Sequence, residues 1–361
     1  MSGIAGIVHL DRRPVDQDQL ARMLANMSHR GPDGSGVWVN KHVGLGHLMF
    51  HETPESLSEQ QPCANSQSGL TITADARIDN REELAGKLEL NPAQAREYAD
   101  SRYILLSYAK WGEDCVHELL GDFAFAIWDG RRQALFCARD CMGLKPFYYS
   151  HKQGRFIFAS ELRAVTSLKD VDKSINEEKI AAHMLFDSLD KESTIYTDFF
   201  RLPPAHTLRI DSKGFQKQHY WKPDVDTELK LGSNEEYAEA FRDVFSDSVQ
   251  CRLRSAFPVG SMFSGGMDSS SMTGVARELL REKATDEKLR TFSATFPHLP
   301  GSNEEHFQDE LIAGGDLEAF KVSMEGHSPL RLFLDAKGQL DSYPMYGWSY
   351  YIHRLLHEKM V

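Results

Sequence analysis

The sequence predicts two units of different class: an α+β half built from antiparallel sheets covered by helices, then an α/β half with parallel strands. Three observations predict this. From residue 1 to about 160, short apolar or alternating segments recur between turn residues; residues 221–234 read WKPDVDTELKLGSN, too polar to bury much surface; and a strand, an amphipathic helix and a second strand follow. The length of 361 residues fits two domains at about 150 residues each. The expected domains are 1–220 and 234–361.

The elements follow in order. Leu20, Met23, Leu24 and Met27 recur at helical spacing and predict a helix over 17–27. Alternation over 43–47 and 71–74 predicts strands, as do the apolar runs 123–128, 134–137 and 156–159. Ile104, Leu105, Tyr108 and Trp111 place a second helix over 101–111. Past the boundary, Tyr237, Phe241, Val244 and Phe245 share one face of a helix over 235–252, and 258–263 reads as a short strand. Met272, Val275, Ala276, Leu279 and Leu280 define a helix beginning at Ser269, and 291–296 gives a further strand. Such a strand, helix, strand unit is parallel and right-handed. Glu304 and Glu305 read as a solvated helix start, and 347–359 as a last helix.

Composition excludes several classes. Forty-one Lys and Arg against 53 Asp and Glu give a net charge of −12, which removes the broad basic footprint that nucleic acid needs. No apolar run approaches the roughly 20 residues that span a bilayer, so no membrane partner is expected. The apolar stretch 4–10 lacks a preceding basic region and contains His9, unlike a secretory signal. Five cysteines without a CxxC pair fit a reducing cytoplasm, and Cys137 and Cys141 read as small apolar packing. His47 and His51 have zinc-like spacing only on a helix, which Gly44, Gly46 and Pro54 argue against.

The strongest chemical signal is Ser264-Gly265-Gly266-Met267-Asp268-Ser269-Ser270, set between a strand and a helix. Paired glycines let successive N–H groups turn inward as an anion nest, the helix start adds positive potential, and serine hydroxyls can donate to phosphate oxygens. The Walker signature is absent, and Asp268 stands where a lysine would have met the phosphate. A carboxylate there needs a divalent cation between itself and the phosphates, so Mg²⁺ is expected on Asp268 and nucleotide oxygens. A plain glycine turn capped by Ser269 is the bland alternative.

SGGMDSS resembles the SGGxDSS loop of the ATP pyrophosphatases, which split ATP into AMP and pyrophosphate. The resemblance implies attack of a substrate carboxylate on the α-phosphate, an acyl-adenylate, and amide formation with an amine. It also implies ATP contacts from Met262, Ser264, Gly265, Gly266, Met267, Asp268, Ser269, Ser270 and Ala294, with Met262 and Ala294 at the adenosine. Upstream, SGIAG at Ser2, HRGPDG from His29, GDFAFAIWD from Gly121, Arg139-Asp140 through Gly143-Leu144-Lys145-Pro146, and Arg201-Leu202-Pro203-Pro204 resemble a class II glutamine amidotransferase domain. Joined to the loop, this order is similar to the asparagine synthetase family. It implies an amino-terminal-nucleophile αββα sandwich of antiparallel sheets, then an adenine-nucleotide-binding α/β domain cut short.

Such a glutaminase opens Met-Cys-Gly-Ile, and its cysteine uses its own α-amine as base. Here Ser2 stands there, a weaker nucleophile. Met49 replaces an arginine that pairs with the glutamine carboxylate, and Asp75-Ala76-Arg77 replaces an oxyanion-donating NGE. Asp75 would repel the developing charge. Asp100 matches the acid that holds the glutamine amine, although an exposed cap on the helix from Ser101 explains it equally. These losses imply an inactive glutaminase on an amide ligase. The DxRxDNRxEL form over 75–84 resembles cyclase-like members that close lasso peptides as macrolactams. Other readings stay open: a scaffold or half of a split enzyme, and a true glutamine-dependent synthetase with Ser2 engineered or functional. Expected substrates are small-molecule or peptide carboxylates and amines. The family's later SGxGxDE loop is missing before Val361, so the chain is expected to bind ATP weakly alone, with a second chain or a homodimer completing it.

Overall fold

The computed structural model describes residues 1–65, 67–186, 189–282 and 288–326. The helix expected over 347–359 lies outside the described residues. The chain divides into two compact units, Met1–Thr227 and Glu228–Val361. Among the described residues, no helix is long and apolar enough to cross a membrane.

The first unit holds two six-stranded antiparallel sheets. One runs β10 (Phe200–Arg201), β8 (Tyr148–Lys152), β9 (Arg155–Ala159), β1 (Gly3–His9), β3 (Val43–Met49), β2 (Gly34–Asn40). The other runs β12 (Gly214–His219), β11 (His206–Asp211), β7 (Ala134–Arg139), β6 (Gly121–Asp129), β5 (Leu70–Ile78), β4 (Cys63–Asn65). Strand periodicity sends Ile4, Val8, Ala124, Ala126 and Trp128 into a core shared by both sheets. The alternate residues face outward. Ala5 and Ile7 meet Leu20, Met23 and Leu24 of α1 (Gln17–Ala25), and Phe123, Phe125 and Ile127 pack with Tyr103, Ile104 and Tyr108 of α4 (Asp100–Trp111). The result is a four-layer αββα sandwich. Strands covered on both faces carry no polar side, which is why β1 is buried at every position and reads as an apolar run. The shorter helices α2 (Arg81–Lys87), α3 (Pro92–Glu97), α5 (Leu162–Thr166) and α6 (Glu177–Met184) fill connections.

The second unit has a three-stranded parallel sheet, β13 (Gly260–Met262), β14 (Leu289–Thr295) and β15 (Leu317–Ser323). Helices α7 (Asn234–Arg252), α8 (Met267–Glu282) and α9 (Glu305–Ala313) accompany it. Ala276 and Leu280 of α8 join Leu253 and Leu289 in its core. Two expectations change here. Met272, placed on the buried stripe by spacing, is half-exposed, and Tyr237, Phe241 and Val244 of α7 are exposed.

Candidate functional site

Residues 264–270 run from just after the short strand β13 into the first turn of α8. Phe263 is buried and donates its N–H to Phe292 O at 2.9 Å, which anchors the loop to the sheet. The chain then turns at Gly265, whose φ of +101° disfavours any L side chain. A Cβ there would also lie 2.7 Å from Glu304 O, so glycine is required twice over. The hydroxyls knit the turn together: Gly266 N donates to Ser264 Oγ at 3.2 Å, the Ser264 and Ser269 hydroxyls stand 3.0 Å apart, and Ser269 Oγ donates to Gly266 O at 3.1 Å. Ser270 Oγ donates to Gly265 O at 3.2 Å. The helix starts at Met267 rather than at Ser269, so Ser269 is a loop clasp inside the first turn and not a simple cap.

Asp268 sits exposed in that first turn. Among the described residues, no group of three or more His, Cys, Asp or Glu could hold a metal unaided. Mg²⁺ commonly takes one or two carboxylates with phosphate oxygens completing its shell, and one exposed aspartate beside a glycine cradle suits that pattern. Met262 and Ala294 lie on neighbouring parallel strands near this turn. Met262 is 40% and Met267 84% exposed, so neither is a core residue.

Around Ser2 the first unit gathers charge. Ser2 Oγ accepts from Phe50 N at 3.2 Å and reaches Phe50 O at 3.4 Å, and Arg30 donates to Ser2 O at 3.2 Å. Arg30 and Arg163 both pair with the largely buried Glu161, which His29 also meets at 2.8 Å. Asp75 on β5 is buried, and its carboxylate lies 3.0 Å from Lys145 Nζ and 4.0 Å from Arg30 Nη1. Lys145 is aimed by its loop: the buried Asp140 accepts from the N–H groups of Met142, Leu144 and Lys145 at 2.9–3.1 Å, and Arg139 donates to Lys145 O. Burial lowers the Arg139 guanidinium to about 10. Ala76 packs in the core under α4, and Arg77 lies 3.8 Å from Asp79.

Asp100 departs from the exposed cap that sequence allowed. It is 6% exposed, accepts from Ile78 N at 3.0 Å, and takes Arg81 at 2.6 Å. Met49 ends β3 and lines a cavity of about 560 Å³ with Asp33, His51, Glu59 and Gln61. His47 belongs to a strand, buried, with Nδ1 3.2 Å from Thr73 Oγ1.

Residues 1–221 match the glutamine amidotransferase domain family, and residues 240–360 match the asparagine synthase family. A glutamine-hydrolysing asparagine synthetase of Bacillus subtilis is 33% identical over 88% of this chain and 51% of its own length. A second, from Methanocaldococcus jannaschii and described as putative, is 32% identical over 82% of this chain and 60% of its own length. An amidase of Gibberella zeae is 29% identical over 73% and 40%. The chain belongs to the asparagine synthetase family.

The chain spans about half the length of these curated family relatives. Within this family member the structure keeps the loop residues together and gives Met49, Asp75, Ala76, Arg77 and Asp100, the positions compared with a glutamine pocket, different surroundings from one another. Sequence reasoning held Arg30 and Lys145 only as members of motifs, with no role beside Asp75 and Ser2, and missed Glu161; all three lie far from Asp75 along the chain. It also missed Gln308, although Gln308, Leu311 and Ile312 share one helical face and put an amide where apolar residues are expected.

Proposed function

We propose that this protein is an ATP-dependent amide ligase that forms AMP and pyrophosphate, with 264–270 gripping the triphosphate. The single observation carrying the reading is Gly265, left-handed and backed by Glu304, at the start of a 16-residue helix. Without a Cβ the turn packs directly against Glu304 and Gln308, at the start of the helix where negative charge is favoured. Asp268 would hold Mg²⁺, which supplies charge neutralisation between the carboxylate and the phosphates. In the proposed reaction a carboxylate oxygen of a small molecule or peptide bonds to the α-phosphorus as the bond to the pyrophosphate leaving group breaks. An amine then bonds to the activated carbonyl carbon, and AMP leaves with the carboxylate oxygen.

The amidotransferase unit, in this reading, does not hydrolyse glutamine. Met49 offers no bidentate partner for a carboxylate, Asp75 accepts rather than donates, and Asp100 is taken by Arg81. Lys145 changes one part of the sequence argument. With a cation 3.0 Å away, Asp75 opposes an oxyanion less by repulsion than by lacking a donor.

Titration of the full chain with Mg-ATP tests the reading. The amide resonances of Gly265, Gly266 and Asp268 are expected to move in a saturable way, and loop signals that stay fixed at millimolar ligand would reject it.

A further inference from the structure

Behind the phosphate loop, α9 carries a polar side chain with an unusual position. Gln308 is fully buried, its Nε2 donates to Ser264 O at 2.8 Å, and its Oε1 has no hydrogen-bond partner among the described residues. The amide can point only this way, because a carbonyl accepts and never donates, so the nitrogen must face Ser264. A buried acceptor left unpaired is unfavourable, and an apolar side chain of the same size would avoid it. The amide is thus kept at a cost to stability for the one bond it makes.

That bond falls where it governs the loop. In a planar trans peptide the C=O and the following N–H point in opposite directions. Drawing Ser264 O toward α9 therefore turns the Gly265 N–H away from α9, to the outer side of the loop. The contact is close: a Cβ on Gly265 would lie 3.1 Å from Gln308 Cγ as well as 2.7 Å from Glu304 O, so α9 packs directly on the turn. We propose that Gln308 is a positioning residue, fixing the plane of the 264–265 peptide so that the Gly265 amide is presented to phosphate. This rests on the nucleotide reading of the loop given above.

The full chain carrying Gln308→Met tests it by Mg-ATP titration, melting and the amide spectrum. Losing one oriented hydrogen bond is expected to weaken Mg-ATP binding about tenfold. The Gly265 amide resonance of the ligand-free variant should be displaced, while its melting midpoint stays about level, because the orphaned Gln308 Oε1 is removed as Ser264 O loses its donor. Mg-ATP affinity within about twofold of wild type overturns the positioning role alone. So does a variant whose affinity and melting midpoint fall together with the Gly265 resonance unmoved, since that is a structural role. If Gln308→Met does not fold, Gln308→Asn, one methylene shorter, is expected to bind about threefold more weakly, and unchanged affinity again overturns the proposal. A wild-type chain that fails to bind Mg-ATP removes the nucleotide reading itself, a result distinguishable from all of these.

Discussion

In the amidotransferase unit the polar groups around Ser2 close on one another, whereas in the parallel-sheet unit the loop groups stay near the surface on a backbone only glycine tolerates. Asp75, Lys145, Arg30 and Glu161 are largely buried and mutually paired. Asp268, Ser264 and Met267 are exposed, and the serines bond to each other in a clasp that phosphate oxygens could replace. The contrast follows from desolvation. A buried charge without a partner is unfavourable, and here the buried Asp75 and Glu161 are met by Lys145, Arg30 and Arg163. The loop hydroxyls lie nearer the surface and make neutral bonds that exchange readily with water.

The largest expected effect tests the closed half. Lys145→Met leaves Asp75 buried with Arg30 no closer than 4.0 Å, and should destabilise the first unit by about 3–5 kcal/mol in urea unfolding. Adding Asp75→Asn should recover most of that loss. A single variant within about 0.5 kcal/mol of wild type would break the comparison by showing that the pair is not needed.

A smaller effect should appear with pH. Burial holds His47 at about 3, against 6.5 for the free side chain, so the folded unit keeps it neutral where the unfolded chain protonates it. Below pH 6.5 the unfolded state therefore binds the extra proton, and the stability tied to His47 is complete above 6.5 and falls as pH drops toward 3. Between pH 7 and pH 5 the loss is on the order of 2 kcal/mol. His47→Asn, which keeps a donor toward Thr73, should flatten this slope in urea titrations at the two pH values. His9, lowered to about 4 by burial and by Arg13, leaves a residual slope in both proteins. Equal slopes with and without His47 would reject this account.

Legibility differs between the halves for the same physical reasons. The helix over 17–27 was readable because Leu20, Met23 and Leu24 repeat on one face, and it forms as Gln17–Ala25. The strand, glycine turn and helix around 264–270 were readable because the residues that set them are contiguous. Asp100 was not: its partners Arg81 and Ile78 N come from another helix and a strand end, and no local pattern distinguishes a buried acid from a cap. Lys145 is 70 positions from Asp75, and only the antiparallel pairing of β5, β6 and β7 carries the loop after β7 toward it. Strand β15 was absent from the sequence reading, since LEAFKVS alternates with polar residues and has no motif beside it.

The smallest expected effect is also the sharpest test of the closed pocket. With Met1 in place the Ser2 nitrogen is a peptide N–H and cannot act as the base that an amino-terminal nucleophile requires. Its hydroxyl is held between the N–H and C=O of Phe50, contacts worth less than about 1 kcal/mol together. Ser2→Ala should accordingly leave both stability and glutamine turnover where they are in the wild-type chain, the latter at the level of a blank. Ammonia release from glutamine by wild type that disappears in Ser2→Ala would show that Met1 is removed and that Lys145 neutralises Asp75 well enough for the pocket to work. The internal pairing around Ser2 would then be a way of holding the site open for a ligand.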